Sequence, residues 1–155
     1  MVEFTHLTGD RVRMVDISSK GDVLREAIAQ GRIHLRPETL AAIREGSVTK
    51  GNVLATAQVA ATLAVKQTPT LIPLCHQIPI SAVDVEFSLQ EGFIEVCVTV
   101  RSRGKTGVEM EALTGVTLAL LTIWDMVKSA EKDEAGQYPV TRIEGIRVVE
   151  KKKEG

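Results

Sequence analysis

Aromatic side chains are scarce: Phe4, Phe87, Phe93, Trp124 and Tyr138 are the only five in 155 residues. That is too few for a base-stacking platform on single-stranded nucleic acid. Neither sign of charge dominates, because 19 Lys+Arg stand against 20 Asp+Glu, for a formal net charge of -1. Binding of duplex nucleic acid through overall charge is thereby excluded, and only a local basic pocket remains open. Two cysteines, Cys75 and Cys97, cannot build a disulfide framework and point to a reducing, cytoplasmic compartment. The longest uncharged stretch of the second half, Ala112 to Trp124, has thirteen residues, whereas a bilayer span needs about twenty. Glu3, His6 and Asp10 among the first apolar residues speak against a secretory signal. No repeat, low-complexity tract or Pro/Gly/Ser linker interrupts the chain, so residues 1–155 are expected to form a single soluble domain.

What is present is the balance of a folded globule, with 44% hydrophobic and 25% charged residues. The core must come from Val, Ile, Leu and much Ala. Val23 to Leu35 is ambiguous: Leu24 and Ile28 have helical spacing, but Ala27, Ala29, Gly31, Ile33 and Leu35 alternate, which favours a strand. Pro37 suits a first helical turn and Gly46 a stop. A second helix is expected from about Gly51 to Lys66, with Val53, Ala57, Ala60 and Ala64 as its buried stripe and Thr68-Pro69-Thr70 ending it. Val83, Val85, Phe87 and Leu89, then Ile94, Val96, Val98 and Val100, alternate around Gln90-Glu91-Gly92 as a hairpin. A long helix from about Gly107 to Glu131 and a strand from Arg142 to Val149 complete the order. That order is a split βαβ, giving an α+β, ferredoxin-like fold with a mainly antiparallel four-stranded sheet and helices on one face. Its open face, carrying residues such as Val and Ile, is a candidate subunit contact.

Four features carry possible chemistry. In Leu71-Ile-Pro-Leu-Cys-His-Gln-Ile-Pro-Ile80, His76 is either hydrogen-bonded in a buried connection beside Cys75 or held at a pocket wall as a proton carrier. Only His6 and His34 remain as further histidines, so a zinc site lacks ligands. Arg101-Ser-Arg-Gly-Lys-Thr-Gly107 is not a Walker motif, because Thr99 stands where the first Gly is required. It reads as a solvated basic turn or as an anion site, with Arg101, Arg103 and Lys105 at a helix N-terminus. Glu109 and Glu111 complement the dipole of that helix. Asp125 and Lys128 are neighbours on one helical face, as a surface ion pair or as a buried proton donor and acceptor couple. At roughly 100° per residue, Glu111, Asp125 and Lys128 share a side of the helix and Glu109 points away. Glu111 and Asp125 are nevertheless fourteen residues apart, on the order of 21 Å. If both serve one reaction, the substrate is long or a second subunit supplies one end.

Met14-Val-Asp-Ile17, Lys50-Gly51, Leu71-Ile-Pro-Leu-Cys-His76, Gly104-Lys-Thr-Gly-Val-Glu-Met-Glu-Ala-Leu-Thr114, Thr122-Ile-Trp-Asp-Met-Val-Lys128 and Lys132-Asp133 together form a specific pattern. From His6 to Val149 the chain closely resembles the molybdenum cofactor biosynthesis protein C family, the cyclic pyranopterin monophosphate synthases. The resemblance implies conversion of (8S)-3',8-cyclo-7,8-dihydroguanosine 5'-triphosphate to cyclic pyranopterin monophosphate with release of diphosphate. It also implies a homohexamer, a trimer of dimers with active sites at dimer interfaces; no resident metal or cofactor is expected. Mg2+ accompanying the triphosphate is left open. By position, Asp125 and Lys128 match the catalytic pair. Leu74, Cys75, His76, Met110 and Glu111 match substrate-binding segments, and Lys50 and Glu109 match further active-site positions. Lys128 and Asp125 are then the acid/base pair, with His76 and Lys50 neutralising phosphate charge. Asn52 departs from the Asp that follows Lys-Gly in many relatives, and Lys151-Lys-Lys-Glu-Gly155 replaces a Gly-Gly-containing tail. The rival readings are a catalytically silent nucleotide or pterin sensor and a purely structural oligomer. No nucleic-acid or membrane partner is expected.

Overall fold

The computed structural model describes residues 2–4, 7–9 and 11–155; His6 lies outside them. A short hairpin of β1 (Leu7–Thr8) and β2 (Arg11–Val12) precedes the main body. Then come β3 (Val23–His34), α1 (Pro37–Glu45), α2 (Val53–Leu71), β4 (Ile80–Gln90), β5 (Phe93–Gly104), α3 (Glu109–Glu131) and β6 (Arg142–Glu154). The larger sheet has the order β4-β5-β3-β6, and every neighbouring pair is antiparallel. This interleaving of two split βαβ units is the ferredoxin-like arrangement.

The ambiguity at Val23–Leu35 resolves as a twelve-residue strand because β3 is central, paired with β5 on one side and β6 on the other. Its Ala27, Ala29 and Ile33 are fully buried beneath the helices. Small residues there let α3 come close. A Cβ added at Gly31 would lie 2.9 Å from Leu120 Cδ1 and 3.0 Å from Val116 Cγ1. The same economy joins α2 to α3, where a Cβ at Gly115 would lie 2.9 Å from Val65 Cγ2. Alanine is abundant because close helix approach excludes larger side chains.

Several expectations need correction. Helix α2 does not end at Thr68 but continues through Pro69 to Leu71. Pro69 lies in the last turn and lacks the N–H that would bond the Val65 carbonyl, yet Ile72 N–H still donates to Thr68 O at 2.9 Å beyond it. Thr68 is fully buried, and its hydroxyl donates to the Ala64 carbonyl at 2.9 Å. The buried stripe runs Val53, Ala57, Ala61, Ala64 and Val65, so Ala61 rather than Ala60 faces the core. Strand β6 extends through Lys151-Lys-Lys to Glu154, pairing Lys152 with Glu26. The open face of the sheet is mainly ionic, because the Val and Ile of β5 point at the helices. On it, Arg101 bridges Glu26 and Asp84 at 3.1 Å each, and Arg32 meets Glu95 at 3.2 Å. Arg101 is thus occupied there and does not join an anion site at the start of α3. Helix α3 is long and apolar enough to cross a membrane by length and composition, with mean hydropathy 1.4. It packs instead as the central core helix, burying Ala112, Val116, Ala119, Leu120 and Ile123 completely.

Candidate active site

Two groups of candidate residues lie at opposite ends of α3. At its N-terminus is a half-open cleft of about 330 Å³, lined among others by Leu74, Cys75, His76, Glu109, Met110 and Glu111. The two sequence segments marked for substrate binding therefore meet, as walls of one cavity. The turn Cys75 N–H to Ile72 O, 3.1 Å, follows the end of α2 and faces the 72–79 connection toward α3. His76 is half-buried, and its Nε2 lies 2.6 Å from the Val15 carbonyl oxygen. A carbonyl only accepts, so Nε2 is the donor in this contact. The buried-connection and pocket-wall readings of His76 thus describe one arrangement.

Glu111 is only 3% exposed. Burial pushes its carboxyl up, its own backbone N–H pulls down, and the neighbouring Glu109 charge adds to the rise. Cys75 is raised by burial and then by Glu111, so it stays a thiol rather than a nucleophilic thiolate. Glu109 does not turn away from the cleft. Its side chain folds back over Gly107, where any Cβ would collide with the carboxylate, and both acids line the cavity. Sequence reasoning missed Lys20, Val15, Ile17 and Thr106, which complete the wall. Met14-Val-Asp-Ile17 was visible as a motif, but nothing local tied it to residues sixty positions away. The strap carrying it is shaped by Ser18 N–H donating to Asp16 Oδ1 at 2.8 Å and Lys20 N–H to Ile17 O at 3.0 Å.

At the other end, Asp125 is clasped by two ammonium groups. Lys128 Nζ lies 3.0 Å from Oδ1, and Lys50 Nζ lies 3.3 Å from Oδ2 and 2.8 Å from the Asp125 carbonyl oxygen. Hydrogen bonds from Lys128 and then Lys50 hold the Asp125 carboxyl below the usual range, and Asp125 raises Lys128 in return. The alternative of a buried couple is overturned: side-chain exposures are 59%, 45% and 46% for Asp125, Lys128 and Lys50. Lys50 belongs to this group and not to the cleft with His76. It is placed by the turn before α2, whose N-cap Asn52 accepts from Ala55 N–H at 2.9 Å. Asn52 therefore performs the capping that an Asp there would perform, without its charge. Among the described residues, no group of three or more His, Cys, Asp or Glu could hold a metal.

A ferredoxin-like scaffold with a mixed-charge cleft and a carboxylate between two lysines has the concave site and titratable groups that enzymes use. The chain belongs to the MoaC family, whose family model matches residues 14–154. It is similar to the probable cyclic pyranopterin monophosphate synthase of Methanoregula boonei, at 75% identity over 99% of both chains. Proteins of the same name in Methanospirillum hungatei JF-1 and Thermococcus onnurineus are 66% and 63% identical, each over 99% of both chains.

Proposed function

We propose that this cytoplasmic enzyme converts (8S)-3',8-cyclo-7,8-dihydroguanosine 5'-triphosphate to cyclic pyranopterin monophosphate and diphosphate, in sites completed between two subunits of a homohexamer. The observation that carries the reading is the split of its machinery along α3. The cleft with His76 and Glu111 and the Asp125/Lys128 centre are separated by fourteen residues of continuous helix, roughly 21 Å. One small substrate cannot reach both within a subunit. A twofold axis crossing the middle of α3 sets one chain's cleft beside the other's lysines, because such a contact is self-complementary. Val59, Leu63 and Leu121, 60%, 51% and 49% exposed on the helical layer, supply apolar surface for that contact.

The chemistry follows from the charges. The reaction must open a purine-derived ring and close a cyclic phosphate as diphosphate leaves, which needs proton transfers and cations near the departing charge. Asp125 between two ammonium groups is a weak base until the substrate's phosphates draw one lysine away. Lys128, kept protonated by Asp125, is the acid of the pair. His76 in its neutral form offers Nδ1 as an acceptor, and Glu111, held toward its neutral form by burial, offers a donor in the cleft.

The test is diphosphate release and pterin formation from the cyclised dihydro-GTP. Wild type should turn over, and Lys128→Ala and Asp125→Asn should not, with folding and assembly unchanged. Mixing inactive Lys128→Ala with inactive His76→Ala subunits should restore part of the activity, because some interfaces then hold one intact site. Failure of mixing to restore activity after confirmed exchange sinks the shared site. Binding of the substrate by wild type without diphosphate release sinks the synthase reading and favours a sensor.

A further inference from the structure

Tyr138, half-buried on the connection between α3 and β6, has no part in the chemistry described so far. The connection is not a loose loop. Glu131, at the end of α3, accepts from the Thr141 hydroxyl at 2.7 Å and so ties the start of β6 back to the helix. Asp133 Oδ1 accepts from Ala135 N–H and Gln137 N–H, each at 2.9 Å. Asp133 N–H donates to the Gln137 carbonyl at 2.8 Å, and Gly136 turns the chain with a φ of 76°. Pro139 follows Tyr138 and stiffens it further. The result is a pinned loop that returns Tyr138 to the surface of α3, where its ring meets Trp124 edge-on, with centroids 5.1 Å apart and planes at 69°. Trp124 packs against the core, so it is a firm backing.

Trp124 and Lys128 are one turn apart on the same helical face. The phenol that leans on Trp124 therefore stands beside the lysine that clasps Asp125, and it lies within electrostatic reach of the Lys128 ammonium. We propose that Tyr138 is a positioning residue for the Asp125/Lys128 centre, its ring a fixed wall that limits where the Lys128 side chain can go. A lysine has four rotatable bonds and loses much entropy when confined. A rigid aromatic neighbour reduces that loss before the substrate arrives, because the ring brings large area and few torsions of its own. The Lys128–Asp125 contact of 3.0 Å survives at 45% exposure of Lys128, where an unsupported surface pair is readily broken.

The role rests on the proposed activity, but part of its test does not. In steady-state turnover, Tyr138→Ala should lower kcat about tenfold with KM nearly unchanged, because a misplaced acid slows chemistry and not binding. Tyr138→Phe keeps the ring and should restore turnover to within about twofold of wild type. Equal kcat in wild type and Tyr138→Ala, a loss carried by KM, or a Tyr138→Phe as slow as Tyr138→Ala would overturn the proposal. The ligand-free arm is arylation of the Lys128 amine by trinitrobenzenesulfonate, with sulfite leaving, read by peptide mass on protein shown to be folded and assembled. Lys128 should react faster in Tyr138→Ala and at the wild-type rate in Tyr138→Phe. Identical rates in all three overturn the wall. If wild type gives no turnover, the activity reading fails by itself, and the labelling rates alone decide the role of Tyr138.

Discussion

Removing the Glu131 carboxylate tests the account of how the far end of α3 is held. Glu131 is fully buried, and among the described residues no lysine or arginine head-group pairs with its carboxylate. It accepts instead from the Thr39 hydroxyl, from the Thr141 hydroxyl at 2.7 Å, and from Arg36 N–H at 3.1 Å. Arg36 is the N-cap of α1 and has no side-chain cap of its own. The carboxylate thus caps α1 from outside, where the helix dipole favours negative charge. Glu131→Ala leaves two buried hydroxyls and one part-buried N–H unpaired, each buried group costing about 1–3 kcal/mol. Allowing for rotation of the hydroxyls, we expect a loss of about 4 kcal/mol. Glu131→Gln keeps one acceptor and should lose about half as much. The assay is guanidinium unfolding at fixed protein concentration, since assembly links stability to concentration. Hydrogen exchange should quicken in 132–141 and at the start of α1. A loss under about 1 kcal/mol for Glu131→Ala would refute the reasoning, since buried donors would then be tolerating the lack of an acceptor.

Glu111→Gln should stabilise the fold at neutral pH, because the variant keeps no charge in that buried position, while impairing turnover. The sign follows from its raised pKa: folded Glu111 holds its proton more tightly, so stability falls as pH rises above 4.5, its ordinary value. The advantage of the variant should therefore vanish in acid, as read from denaturation midpoints across pH. Asp125 has the opposite sign. Its carboxylate should stay charged in wild type below 3.8, and Lys128→Ala should move its carboxyl titration, followed by carbon NMR, back up toward that value. Gly31→Val should cost about 2–3 kcal/mol by overpacking against Leu120, Val116 and Ile146, measured by chemical unfolding. Asn52→Ala should cost about 1 kcal/mol through loss of the α2 cap, and Asn52→Asp should not.

Local periodicity was enough to find the hairpin, α3 and the start of β6, because alternation and the helical repeat are properties of neighbouring residues. Gly46 was legible as the stop of α1, where the structure has a φ of 72°. The signature segments around His76 and Glu111 were legible as candidate site residues, and their meeting in one cleft follows from α2 and α3 packing side by side. The axial separation of Glu111 and Asp125 was also legible, since helix rise is fixed by backbone geometry.

Other features depended on residues far apart in sequence. Helical propensity could not foresee that α2 passes Pro69, because the packing of Thr68 decides it. Val23–His34 became a strand through partners that lie from 59 positions away, at His34 and Phe93, to 130 positions away, at Leu24 and Glu154. Whether Asp125 and Lys128 lie buried or exposed, where Lys50 belongs, and why Glu131 and Tyr138 matter were likewise invisible. A residue's spacing records the face it shares with its neighbours, whereas the charge, burial and hydrogen-bond partners that give it a role come from elements brought alongside only by folding.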